Sequence, residues 1–416
     1  MYYLYRLGIG LYVLAIRLAS LWQPKARLWL QGRKNWRLQL ENIPKDKEVC
    51  WFHTASLGEF EQGRPLIEAY RKKYPKHYLL LSFFSPSGYE PRKNYAGVDQ
   101  VVYLPIDSRK NARDFLTLVH PQRVVFIKYE YWYHFFMEIG QLRLPFYLVS
   151  AVFRNSQLFF KPVVGPFWRK LLQQPSHLFV QDETSAILLD TIGVSNYTVN
   201  SDTRFDRVAA IRELPFTDNI LAAFCAGQTV IAGSSWPKDE IILQKAFDHP
   251  ALTDWKLVLV PHDLDESQIH KLQSSLGAKC IRYSEKSSVD KLKQARFLII
   301  DTIGILSKIY RYGQIAYIGG GFGKGIHNTL EPAVYGIAVI FGPNHAKFLE
   351  AADLLRLGAA FEIDKADNLQ KVLVELTGNP TLRNNISHKL KLYIEEKEGA
   401  TSRVMQHIAG DTDVSN

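Results

Sequence analysis

Ile315-Ala316-Tyr317-Ile318-Gly319-Gly320-Gly321-Phe322-Gly323-Lys324-Gly325-Ile326-His327-Asn328-Thr329-Leu330-Glu331-Pro332-Ala333 runs four strand-forming residues into five glycines and then a helical pattern. That succession predicts a strand, loop and helix of a parallel sheet covered by helices. Backbone amides in such a loop and at the helix start predict a cradle for phosphate. It is not a Walker loop, because Gly325 follows Gly323-Lys324 where Ser or Thr would stand, and Lys324 replaces the last glycine of GxGxxG. Gly320, Gly321, Gly323 and Gly325 are expected to shape a nucleotide site. His327 and Asn328 stand at its exit, and Glu331, one turn into the helix, is within reach of ribose hydroxyls.

The same alternation extends in both directions. Strands are predicted upstream at Val230 to Ala232, Leu257 to Val260 and Phe297 to Ile300, and downstream at Val339 to Phe341 and Ala360 to Ile363. An earlier series is predicted at Val49 to Phe52, Tyr78 to Phe83, Val101 to Leu104, Val124 to Ile127, Phe146 to Ser150, Leu178 to Val180 and Tyr197 to Val199. Two doubly wound sheets follow, with Asp202 to Pro215 as the expected linker and a helical pattern from Pro380 to Ile408 packing back across the domains. Ligands of open α/β sheets bind at the carboxyl ends of strands, so the loops there carry the candidates. In the second sheet these include Gly233-Ser234-Ser235-Trp236, with donors for an anion, and Pro261-His262, whose ring could meet phosphate or base. Asp263-Leu264-Asp265 imitates a metal-binding DxD, but no His or acid cluster accompanies it.

In the first sheet, His53-Thr54-Ala55-Ser56-Leu57-Gly58-Glu59 leads from a strand into a helix. Glycine permits the turn, and the positive end of the helix dipole favours a carboxylate at Glu59, as a general base requires. A simple helix-start acid is the equal alternative. No GxSxG elbow surrounds Ser56, so a hydrolase triad is weakly supported. Ser85-Pro86-Ser87-Gly88, after the next strand, offers hydroxyls and amides to a sugar or phosphate, or forms an ordinary turn. Glu130, in Lys128-Tyr129-Glu130-Tyr131-Trp132, stands at a strand end among aromatics, placed for ligand hydroxyls or merely exposed.

Composition sets the frame. At 416 residues with 47% hydrophobic and 22% charged, the chain is an ordinary globular sequence of two domains, with only the tail 410–416 expected to be irregular. Its formal charge of +10 is uneven: residues 1–40 carry Arg6, Arg17, Lys25, Arg27, Arg33, Lys34 and Arg37 and no acid. A second acid-free stretch, Val152 to Leu172, mixes Arg154, Lys161, Arg169 and Lys170 with aromatic rings. Such patterns suit an anionic membrane surface, a nucleic acid or plain solvated surface. The amino terminus, MYYLYRLGIGLYVLAIRLASLW, is about the length of a membrane span, yet Arg6 and Arg17 share one helical face with Gly10 and Ser20 nearby. It could lie in an interface, span, or pack as a core helix. No cleavage site follows it. Cys50, Cys225 and Cys280 match neither a disulfide framework nor a CxxC metal site, and predict a reducing compartment.

Seven pieces in order, WFHTASLGEFEQGRPL, FSPSGYE, the glutamate and tryptophan of YEYW, the arginine and asparagine of AVFRN, SDTRFDR, AGSSWPKDE and GGGFGKGIHNTLEPAVYG, resemble the Kdo (3-deoxy-D-manno-octulosonic acid) transferase family. The resemblance implies a GT-B fold, two Rossmann-like domains facing a central cleft behind a membrane-associated helix. It places the boundaries at 1–36 for the anchor, 37–204 for the acceptor side, 205–385 for CMP-Kdo and 386–416 for the closing helix. It implies inverting transfer of Kdo from CMP-Kdo to the lipid A precursor on the cytoplasmic face of the inner membrane, with no metal, no cofactor and no nucleic acid. Glu59 matches the general base. Glu130 and Arg154 match the acceptor-side cleft, with Ser56, Gly58, Ser85, Ser87 and Gly88 beside them. Ser234, Ser235, His262, the glycine loop, His327, Asn328 and Glu331 match the CMP-Kdo side. Two departures stand out: many members of that family carry an arginine beside the histidine where this chain reads Pro261-His262-Asp263, and Tyr131 and Tyr133 flank Trp132 where leucine and proline often stand. The rivals are a sugar-nucleotide epimerase of the same architecture and a non-catalytic membrane-bound nucleotide-binding protein.

Overall fold

The computed structural model describes residues 1–128 and 130–413, with the backbone alone for 411–413. Two compact units emerge: Met1–Asp206 together with the chain from Gly399 onward, and Arg207–Glu398. The first holds β1 (Val49–Thr54), β2 (Tyr78–Phe83), β3 (Gln100–Tyr103), β4 (Arg123–Ile127), β5 (Phe146–Ala151), β6 (His177–Val180) and β7 (Tyr197–Val199). They form one sheet in the order β3-β2-β1-β4-β5-β6-β7, parallel throughout. The second holds β8 (Thr229–Ser235), β9 (Lys256–Pro261), β10 (Cys280–Arg282), β11 (Phe297–Ile299), β12 (Ile315–Ile318), β13 (Ala338–Phe341) and β14 (Ala360–Glu362). Its parallel order is β10-β11-β9-β8-β12-β13-β14. Every strand expected from the sequence is present. β10 is additional: a three-residue edge strand whose polar surroundings give no periodic signal.

Helices cover both faces of the first sheet, and successive strand residues feed opposite cores. Val49 and Trp51 of β1, with Val124 and Phe126 of β4, join Phe115, Phe135 and Phe146 on one side. Cys50 and Phe52, with Val125 and Ile127, join Phe60, Tyr70 and Tyr147 on the other. The last helix, Ala400–Asp413, closes this second face with Val404, Met405 and Ile408.

Three sequence expectations are corrected here. The linker 202–215 contains a helix, Arg204–Glu213, inside which the chain passes from the first unit to the second. The run Pro380 to Ile408 is two helices, because Gly399 takes a left-handed φ of 88° and Asp206 caps the second one, accepting from the amides of Gly399 and Thr401 at 2.6 Å each. The helix Pro380–Lys397 accordingly belongs to the second unit, instead of to a closing element that begins at 386. The tail expected to be irregular from Gly410 is helical through Asp413; residues 414–416 lie outside the described residues.

The amino terminus forms the helix Tyr2–Ala19. Tyr2, Tyr5, Ile9, Val13 and Ile16, spaced as one helical stripe, turn toward the first unit, where the Tyr5 hydroxyl donates to Asp107 at 2.5 Å. On the opposite side Leu4, Leu7, Leu11, Leu14 and Leu18 are each more than half exposed. Among the described residues no helix is long and apolar enough to cross a membrane. The basic residues that follow divide by function. Arg27 caps the first helix through the carbonyls of Ser20 and Leu21, Arg37 pairs with Asp114, and Arg33 is buried, so these three do not form an open basic surface. Arg33 donates to the Phe84 carbonyl at 2.6 Å and lies over the Trp29 ring, and burial pushes its guanidinium down to about 9. The aromatics of Val152 to Leu172 likewise turn inward. Phe153 and Phe159 are buried, and Phe167 stacks on Tyr133 at 4.8 Å.

Candidate functional site

In each sheet the strand order reverses beside the first strand, at β1/β4 and at β8/β12. Helices leave to opposite faces at such a point, and the loops part to form a crevice. The candidates gather at these two places.

At β1/β4, Ser56 precedes the helix Leu57–Lys73 and Glu59 sits in its first turn. The spacing is that of a capping box, but the Ser56 hydroxyl donates to the Glu59 carboxylate instead of capping the helix. Gly58 is exposed beside them. Phe84 and Ser85 donate their amides to the carbonyls of Thr54 and Ala55 at 3.3 and 2.8 Å, tying the second loop to the first. Ser85 caps the helix Pro86–Arg92 by accepting from the Ser87 amide. Gly88 is required by close packing, since a Cβ there would lie 2.9 Å from the Ser56 backbone.

After β4, Glu130 accepts from the Trp132 indole at 2.8 Å and stands 3.6 Å from His53 Nε2. His53 is buried, with Nδ1 2.8 Å from the Ser82 hydroxyl. The sequence reading quoted His53 but gave it no place in the site; only adjacency of β1 and β4 pairs it with Glu130. Arg154 is exposed beyond β5, and its backbone amide bonds Gln157. Tyr129 of the same motif lies outside the described residues. Lys128 and Ser150, at the ends of β4 and β5, adopt φ of 73° and 55°. Strain of this kind in non-glycine residues concentrates at functional sites.

At β8/β12 a pocket of about 300 Å³ brings Ser234, His327, Asn328 and Glu331 together. It adds Arg207, Ser307 and Tyr310, which the sequence reading did not select. Ser234 has φ 53°, a third strained strand end. Ser235 points to the other side, as neighbours on a strand must, and gives its hydroxyl to Glu240 at 3.0 Å. The glycine loop shapes the wall without lining this pocket, and its amides are largely spent. Gly320, at φ 91°, donates to Asp239 at 2.9 Å, while Gly323 and Gly325 both donate to the Gly320 carbonyl. Gly321 packs against the Gly342 backbone. The expected helix start is also modest, a single turn at Leu330–Ala333. Side chains therefore do more of the work here than the amide cradle expected from the sequence.

Asp239 was missed. Buried, it accepts from the Trp236 amide at 2.9 Å, the Gly320 amide at 2.9 Å and the Tyr317 hydroxyl at 2.7 Å, and so fastens the glycine loop to the helix Pro237–Phe247. Its position three residues after Trp236, before a helical run, is the capping signal that could have found it.

Trp236, His262 and His327 form an aromatic cluster, the His262 ring stacking on each of the others at 4.5 Å. The Trp236 indole donates to His327 Nε2 at 3.4 Å. Burial, with the second imidazole beside it, pushes His327 down to about 4, and burial also lowers His262. His327 is thus a neutral ring at pH 7, with Nδ1 left to donate. Burial raises the Glu331 carboxyl, opposed by Arg207 and by the 3.2 Å bond from Asn328, and burial lowers Arg207 against the pull of Glu331. Asp265 of the DxD pair caps the helix Glu266–Leu276 through the Gln268 amide.

Comparison with known proteins bears on the kind of protein and on its fold. Residues 33–207 match the family model described as 3-Deoxy-D-manno-octulosonic-acid transferase (kdotransferase). The 3-deoxy-D-manno-octulosonic acid transferase of Aquifex aeolicus is 27% identical over 364 residues, 86% of this chain and 91% of that protein. That of Bordetella pertussis is 26% identical over 435 aligned positions, 96% and 98% of the two chains. Among solved structures, a Rickettsia africae glycosyltransferase superposes with TM-score 0.56 at 12% identity, covering 87% of this chain and 98% of that one. A Neisseria meningitidis UDP-GlcNAc 2-epimerase superposes with TM-score 0.59 at 13% identity, covering 88% and 100%. These likenesses establish the double Rossmann-like, GT-B architecture. With motifs and relatives in agreement along the sequence, the chain is similar over most of its length to Kdo transferases and reads as a glycosyltransferase of that kind.

Proposed function

We propose that this chain transfers Kdo from CMP-Kdo to the lipid A precursor at an anionic membrane surface on the cytoplasmic side, with inversion at the anomeric carbon. The observation that carries this reading is the convergence of Ser234, His327, Asn328 and Glu331 on one pocket in a chain whose relatives are named as Kdo transferases. In this reading the second unit holds the donor. Glu331 and Asn328 meet ribose hydroxyls, neutral His327 donates from Nδ1 to a phosphate oxygen, and Arg207 offsets the phosphate charge. The first unit receives the acceptor, with Glu130, Arg154 and the Ser85/Ser87 hydroxyls around it. As the acceptor hydroxyl attacks the anomeric carbon, Glu59 takes its proton, the new glycosidic bond forms and CMP departs with the electron pair of the broken bond. The Ser56 hydroxyl fixes the carboxylate that does this.

The epimerase reading shares the fold, and structural similarity alone does not separate the two. Product analysis does. Purified protein incubated with CMP-Kdo and lipid A precursor is expected to give a Kdo-bearing glycolipid by mass spectrometry. Turnover of a UDP-sugar without glycolipid would favour the epimerase. CMP binding without either product would favour a non-catalytic protein.

A further inference from the structure

Between the helix Tyr2–Ala19 and the segment 106–110 lies an open groove of about 620 Å³, whose lining includes Arg6, Gly10, Val13, Arg17, Arg109 and Lys110. Among the described residues no carboxylate pairs with Arg6, Arg17 or Lys110; Arg109 bonds Glu138 at 3.0 Å. The one carboxylate in the groove, Asp107, is buried and already accepts from the Tyr5 hydroxyl and the amides of His134 and Phe135. The groove is therefore a concentration of unneutralised positive charge, within which Ser108 caps the helix Arg109–Val119.

Its location says what kind of anion it takes. At about 100° per residue, Arg6, Gly10 and Arg17 fall roughly a quarter-turn from the exposed stripe Leu4, Leu7, Leu11, Leu14 and Leu18, between that stripe and the docked face. A helix lying in an interface with its leucines among acyl chains holds side chains at that angle at headgroup depth. A polynucleotide would offer nothing to the leucine stripe. We propose that this groove is a discrete site for the phosphate of an anionic lipid headgroup, clasped by Arg6, Arg17 and Lys110. The proposal rests on the membrane-surface reading above and sharpens it from a diffuse attraction to a site.

The full-length chain is tested by co-sedimentation with phosphatidylcholine vesicles with and without phosphatidic acid. Wild type is expected to sediment with the phosphatidic acid vesicles. Each of Arg6→Gln, Arg17→Gln and Lys110→Gln is expected to lower partitioning about five-fold, the effect of roughly one charge near the surface. Gly10→Glu, whose side chain enters open space, is expected to do the same by placing a carboxylate in the groove. Controls with equal charge loss elsewhere, Lys245→Gln, Lys271→Gln and Lys371→Gln made singly, are each expected to bind as wild type. Equal binding by groove variants and wild type, or equal loss in the controls, overturns the site while leaving membrane association standing. Wild type that ignores phosphatidic acid vesicles overturns the membrane reading with it. Loss of oligonucleotide binding in the same variants, without loss of vesicle binding, assigns the groove to nucleic acid and overturns the proposal.

Discussion

In the proposed reaction Glu59 and His327 act at the scale of single residues, and each makes a distinct prediction. Glu59 lies in a helix's first turn, where a negative charge interacts favourably with the helix dipole, and accepts from Ser56. Glu59→Gln keeps the shape and removes the proton acceptor. Transfer is expected to fall by about 10²- to 10⁴-fold with CMP affinity and thermal midpoint unchanged, and turnover within a few-fold of wild type would exclude this role. His327 binds its proton less readily folded than unfolded, being lowered to about 4 from an ordinary 6.5. The unfolded chain therefore takes up more protons as pH falls, so stability is full above about 6.5 and declines toward pH 4. The loss amounts to about 3 kcal/mol at most, less whatever solvent screening removes. Denaturant unfolding across that range should show the decline, and His327→Gln should flatten it. Both residues were legible from the sequence through their motifs. Asp239 and His53 were not, since a buried acceptor and a buried imidazole acquire meaning only from the partners that the fold brings to them.

At the scale of elements, the glycine loop and the last helix show how position is fixed by packing. Asp239, itself buried, satisfies two amides and a hydroxyl, of which the Gly320 amide and the Tyr317 hydroxyl are buried with it. Asp239→Ala should cost about 3 kcal/mol in urea unfolding and raise the donor KM more than the loss of fold explains, because the Gly320 turn is no longer tethered to the helix Pro237–Phe247. The helix Ala400–Asp413 returns to the first unit and buries Ile408 completely. Ile408→Ala should destabilise by about 2–5 kcal/mol through transfer and cavity terms, with the midpoint of denaturant unfolding as the readout. The alternation of strands and helices was readable because the central strands, such as β1, β4 and β5, are buried and largely apolar on both faces. The edge strand β10 was not, being three residues at a sheet margin, and the break at Gly399 was hidden by helical periodicity on both sides.

For the whole molecule, the proposed function gives each of the two units its own ligand. CMP at about 100 times its dissociation constant should stabilise the folded state by about 2.7 kcal/mol. Hydrogen exchange should show the protection within Arg207–Glu398, around Ser234 and 327–331, and its appearance instead around Glu59 and Glu130 would reverse the donor and acceptor assignments. The sequence by itself determined the alternating architecture, the candidate loops and the likeness to Kdo transferases, because apolar periodicity and ordered motifs are local properties of the chain. Which loops become neighbours was decided only by the tertiary structure. Strand order sets β1 beside β4 and β8 beside β12, and so pairs His53 with Glu130 and Ser234 with His327 across long stretches of sequence. It also decided which positive charges remain open, burying Arg33 and pairing Arg37 while leaving Arg6 and Arg17 along the groove, because neutralisation depends on what packs alongside.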